Sequence, residues 1–150
     1  MKFFTHLAFG FLVGLLCIDF FNIANQLQFM FFVLLASLFA DIDHPDSKLG
    51  QWFKPIGWLF SHRGFFHSLL AMILFSLIAH FAFHKELITV AVLVGYASHL
   101  VIDALNHQGI AFFYPLQSLK LKGFLKVGGF AEYLLLFLFM GLGLWKLAVL

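Results

Sequence analysis

Charge is what this chain has least of. Only 11% of its residues are Asp, Glu, Lys or Arg, while 63% are hydrophobic and the mean hydropathy is +0.99. A soluble domain carries about 25% charged residues, so the scarcity excludes one and implies an integral membrane protein. The net charge of +2 is too small to suggest a nucleic-acid partner. Cys17 is alone, which excludes an internal disulfide. No small-x-small cleavage signal follows the first apolar stretch, although Lys2 precedes it, so that stretch is expected to stay as a span. Neither an internal repeat nor a low-complexity linker divides the 150 residues, and a single domain is expected.

What is present is a set of long apolar runs. Crossing the hydrocarbon core takes about 20 mostly apolar residues. Phe4–Phe21, Gly64–Phe83, Leu87–Leu105 and Phe130–Leu150 qualify, and Leu27–Ala40 reaches the length if it starts at Ile23. The expected fold is all-α, an integral membrane bundle of about five transmembrane helices. Two tight turns, at Asn22–Gln26 and His84–Glu86, alternate with two long loops, Asp41–Arg63 and His107–Gly129. Lys2, Lys48, Lys54, Arg63, Lys120, Lys122 and Lys126 lie on the N-terminal side, against Lys85 and Lys146 on the other. Basic residues stay inside, so the N-terminus and both long loops are expected in the cytoplasm of a bacterial inner membrane.

The few polar groups collect where runs stop, on that same side. His99 and Asp103 are one helical turn apart and share a face, with Tyr96 and Ser98 beside them as supporting hydrogen-bonding groups. Asp41, Asp43 and His44 sit in a turn closed by Pro45. His62 and His67 flank Arg63-Gly64, while His6 and Glu132 open the first and last runs. A lone intramembrane histidine is more often a hydrogen-bonded packing residue. His80 and His84 at the far end, and Asp19 there, fit such structural or solvated roles. Lys120–Lys126 serve equally well as a topology determinant or as a lipid headgroup contact. For the cluster, shared side and depth instead favour metal binding or chemistry. The candidate ligands are His6, Asp41, His62, His67, His99, Asp103 and Glu132.

Thr5-His6, Asp41-x-Asp43-His44, His62-Arg63-Gly64-x-x-His67-Ser68 and Gly95-x-x-Ser98-His99-x-x-x-Asp103 together resemble the YdjM-like family. These are small inner-membrane proteins regarded as metal-dependent hydrolases, and the resemblance covers roughly residues 5 to 115. Phe66 departs from the pattern, since many relatives carry threonine there. More remotely, the order of these residues is similar to that of the helical zinc-dependent phospholipase C and nuclease group. That similarity implies His6, Asp41, His67, His99, Asp103 and Glu132 as ligands for one to three zinc ions. No local motif anchors Glu132 or His107.

Mixed histidine and carboxylate donors suit zinc, with manganese as an alternative. The expected function is metal-assisted hydrolysis of an ester or phosphoester in a lipid or lipid-linked substrate at the bilayer surface. Arg63 would fork onto phosphate oxygens, and Asp43 or His44 would protonate the leaving alcohol or orient water. A metal-ion or proton-coupled transporter is the alternative. Transporter sites lie near the bilayer midplane on broken helices, whereas no paired glycine or proline interruptions occur mid-run here. A structural protein that uses metal only for folding is a third reading.

Overall fold

The computed structural model describes residues 1–44, 47–48, 50–52, 63–117 and 119–150. Among these it is helical, with five α-helices: α1 (Phe3–Phe21), α2 (Gln26–Phe39), α3 (Leu69–Phe83), α4 (Glu86–Ala104) and α5 (Phe130–Val149). α1, α4, α5 and the segment Gln26–Asp43 are long and apolar enough to cross a membrane. The all-α bundle expected from the hydrophobic runs is therefore what the chain forms.

One boundary needs correction. The third run was expected to be helical from Gly64, yet α3 begins only at Leu69. Arg63 takes a left-handed backbone (φ 64°), and a 3-10 turn, Phe65–His67, follows it. Ser68 then caps the helix, its Oγ accepting from Ala71 N at 3.2 Å and donating to Phe65 O at 2.6 Å. The remaining 15 residues span about 22 Å at 1.5 Å per residue, short of the roughly 30 Å core. His67 thus stands on a turn at the helix mouth, not on the helix.

α4 lies against α1, α2 and α3, while α1 also packs on α2 and α5. Glycine sets the closest approaches. A Cβ on Gly95 of α4 would lie 2.2 Å from Val33 O of α2, and one on Gly10 of α1 would meet Ser37 Cβ at 2.9 Å. Small residues let membrane helices touch backbone to backbone where lipid offers no hydrophobic drive. Ile18, Phe29, Val33 and Ala91 fill the far half of the interior. Ala40, Ala71, Tyr96, Leu100 and Ile110 fill the near half, under the polar cluster.

Candidate metal centre

α2 does not simply stop. It tightens into a 3-10 turn, Ala40–Asp43, which aims Asp41 and Asp43 back over the bundle. Tyr96 of α4 donates through its hydroxyl to Phe66 O at 2.6 Å and pins the turn carrying His67. α4 itself supplies His99 and Asp103. Asp41, His67, His99 and Asp103 therefore converge, with one donor atom from each lying within 4.8 Å of all the others.

The donor separations have a definite scale. His67 Nε2 is 3.2 Å from His99 Nε2, 3.6 Å from Asp41 Oδ1 and 3.5 Å from Asp103 Oδ2. His99 Nε2 is 3.7 Å from Asp41 Oδ1 and 3.8 Å from Asp103 Oδ2. Five of the six donor separations thus match a tetrahedron whose corners lie about 2.0–2.3 Å from its centre, the length of a metal–nitrogen or metal–oxygen bond, while the sixth, Asp41 to Asp103, is within 4.8 Å.

Both histidines turn Nδ1 outward, in a hydrogen bond for His99 and at an ion-pair distance from a carboxylate for His67. His99 Nδ1 lies 2.7 Å from Ser37 O, so that nitrogen carries the hydrogen and Nε2 keeps its lone pair. His67 Nδ1 lies 3.5 Å from Asp43 Oδ2, and Asp43 Oδ2 also accepts from Arg63 N at 3.2 Å. Carbonyl and carboxylate partners of this kind orient metal-binding imidazoles. Asp43, fully buried, thus holds His67 in place. Gly95 matters here too, since only its close approach to α2 brings His99 within reach of the Ser37 carbonyl.

Charge makes the same case. Two buried carboxylates, Asp43 and Asp103, and partly buried Asp41 gather near one guanidinium, Arg63, whose Nη2 lies 3.4 Å from Asp103 Oδ2 and whose Nη1 donates to Gly109 O at 3.2 Å. The Met1 amine also rests on Asp103 Oδ1. Burial disfavours a charged His67, yet Asp103, Asp41 and Asp43 outweigh it and hold its pKa well above the ordinary histidine value. Buried anions must be neutralised somehow, and here Arg63 and the Met1 amine lie against Asp103. Among the described residues, both ring nitrogens of His6 and Asp103 Oδ2 are buried and make no hydrogen bond, His6 Nε2 and Asp103 Oδ2 having only ion-pair contacts of 3.4 Å or longer. Such orphaned atoms are costly unless something else satisfies them. The donor set, its oriented lone pairs and these orphans together fit a metal ion.

The other sequence candidates fall into three groups. His6 joins the cluster at its edge, stacked on His99 (ring centroids 3.9 Å apart) with Nε2 3.4 Å from Asp103 Oδ1. Glu132 does not join it. Its carboxylate accepts from Lys2 N at 2.5 Å, Thr5 Oγ1 at 3.0 Å and Gly128 N at 2.6 Å, clamping α5 to the start of α1. His107 is exposed and bonds Asn106 Oδ1 and Leu125 O. His62 lies outside the described residues. Ser98, read as a supporting group, turns back to Gly95 O at 2.7 Å. One contributor escaped sequence reading: the Ser37 carbonyl is backbone and leaves no residue-type signal.

Beside the cluster a cavity of about 490 Å³ opens, with Asp41 on its wall. Lys2, His44, Lys48 and Arg63 line it together with Phe3, Phe4 and Leu38. Lys48 Nζ sits 4.4 Å and 4.7 Å from the centres of the Phe3 and Phe4 rings, so the ammonium stays at the cavity mouth.

The model of the YdjM inner membrane protein family matches residues 1–149. The chain belongs to the YdjM family. It is 35% identical over 107 residues to the uncharacterized protein YvsG of Bacillus subtilis, covering 68% of this chain and 67% of that one. It is 41% identical over 93 residues to the inner membrane protein YdjM of Escherichia coli, covering 55% of this chain and 46% of that protein. The YdjM of Shigella flexneri gives the same figures. The chain spans about half the length of these two relatives. No solved structure matches. YdjM-family membership, with four helices among the described residues able to span a bilayer, makes this a multi-pass inner membrane protein.

Proposed function

We propose that this protein is a metal-dependent hydrolase cleaving an ester or phosphoester bond of an amphiphilic, lipid-like substrate at the cytoplasmic face of the membrane. The observation that carries the reading is a two-histidine, two-carboxylate donor set, one member of which, Asp41, lines a cavity walled by both cations and phenylalanines. The lysine and arginine asymmetry along the sequence supports the cytoplasmic side.

Nitrogen and carboxylate donors at these separations suit zinc, with manganese an alternative. Such an ion, when bound, acidifies water and polarises a phosphoryl oxygen. Asp41, His67, His99 and Asp103 would hold it. The chain's other groups divide the remaining work. Asp43 and the Ser37 carbonyl lock the two imidazoles so that their lone pairs face inward. Arg63 and Lys48 meet the anionic headgroup, while Phe3, Phe4 and Leu38 receive the first carbons of its apolar part. His44 lines the cavity where Asp43 does not, so the leaving oxygen takes its proton from His44.

Metal content and turnover of the purified protein test this directly. Wild type should carry a stoichiometric divalent ion and release headgroups from lipid phosphoesters in a chelator-sensitive way. Asp103→Ala should lose both, with turnover down by at least about 100-fold. An ion that crosses sealed vesicles without any ester being cleaved would favour the transporter instead.

A further inference from the structure

The segment between α4 and α5 contains no acidic residue from Ala104 to Ala131, but it carries Lys120, Lys122 and Lys126. It is firmly built. Ile110 and Leu121 exchange backbone hydrogen bonds of 3.1 Å and 3.0 Å. His107 N donates to Leu125 O, and Leu125 N donates to Leu105 O, both at 2.9 Å. Asn106, Ile110, Ala111 and Leu125 are buried as its anchors. Between those anchors the apolar side chains point the wrong way for a water-facing loop. Leu116 is 91% exposed, Phe124 84% and Leu119 71%, with the three lysines exposed beside them. Leu116, Leu119, Lys120 and Lys122 share one open concavity.

A loop ordered by its backbone yet displaying bulky apolar tips has a cause outside itself. Both ends of this loop enter apolar helices, so it begins and ends at the bilayer surface. Its charge is of one sign. Leucine and phenylalanine interleaved with lysine is the composition that settles at the boundary between acyl chains and anionic headgroups. We infer that this loop is a lipid-binding surface: Leu116, Leu119 and Phe124 enter the bilayer interface around the metal centre, and Lys120, Lys122 and Lys126 gather anionic phospholipids there. Because both flanking helices are membrane spans, the surface this loop meets first is the phosphate-rich face of the bilayer, which matches its positive charge. The consequence is a local lipid composition near the cluster that differs from the bulk membrane, whatever chemistry the cluster performs.

The full chain in nanodiscs, with Cys17→Ser and Leu119→Cys carrying a polarity-sensitive fluorophore, tests the insertion. In discs of mixed phosphatidylglycerol and phosphatidylcholine, emission should shift to the blue, and shallow brominated lipid should quench it more than iodide does. Spin-labelled lipids test the headgroups. Phosphatidylglycerol should associate several-fold more strongly than phosphatidylcholine with wild type, and K120Q/K122Q/K126Q should abolish that preference. Iodide-accessible emission at 119, or unchanged selectivity in the triple variant, overturns the inference. So does a probe shielded from both quenchers only when two copies share a disc, since a second chain would then cover the loop.

Discussion

The two ends of this bundle use polar residues in opposite ways. At the far end, α1 and α3 close on Asn22 and His84, both in the left-handed conformation, and the chain turns tightly into the next helix. Asp19 there pairs with Lys146 at 2.6 Å, with the carboxylate more than half exposed. At the near end, two 3-10 turns replace clean helix termini, and carboxylates and imidazoles are buried against one another. Water screens the far pair, so each member can be lost cheaply. In the near cluster each group is affordable only because the others are present.

Substitutions can break that contrast in graded steps. Gly95→Leu should do the most damage, because its side chain meets the Val33 carbonyl and no rotamer moves a backbone. A loss of about 3 kcal/mol or more is expected, read as a lowered Tm together with lost metal, since His99 would leave the Ser37 carbonyl. Asp43→Asn should keep the fold but weaken metal affinity by about 10–100-fold, measurable by competition with a chromophoric chelator. An unchanged affinity would remove Asp43 from the site.

Acidity should produce an intermediate effect with a fixed sign. His67 holds its proton more tightly in the metal-free fold than in the unfolded chain. That contribution to stability is complete below about pH 6.5 and is lost as pH rises through the higher folded value. The same proton competes with a metal for Nε2. Raising the pH above about 6.5 should therefore weaken the metal-free protein and strengthen metal binding together, so the gain in Tm on adding metal widens. A gain independent of pH would count against His67 as a donor. Lys146→Ala should matter least, at about 0–1 kcal/mol, with metal binding unaltered.

Much of this arrangement is legible in residue order, and the reasons for the exceptions are physical. Hydrophobic run length locates the helices to within a residue or two in α1, α4 and α5, because the bilayer imposes it. It fails at α3, where a left-handed Arg63 and the Ser68 cap decide the start. The convergence of Asp41, His67, His99 and Asp103 follows from antiparallel neighbours ending on one side. Glu132 shows the limit of that logic, because being at the correct depth did not aim it at the cluster. Lys2 N, Thr5 and Gly128 N reach its carboxylate first. The division between donors and the groups that orient them depends on which ring nitrogen faces a carbonyl, and spacing along a helix does not encode that.

The contact between Gly95 and Val33 has a consequence for life in a bilayer of changing thickness. Two helices touching backbone to backbone cannot easily slide, and together with the turn at the end of α2 they carry three of the four donors. When the surrounding lipid thins or thickens, such a pair answers by tilting as one rod. The angles among Asp41, His99 and Asp103 would then survive fluctuations that shear a looser bundle apart.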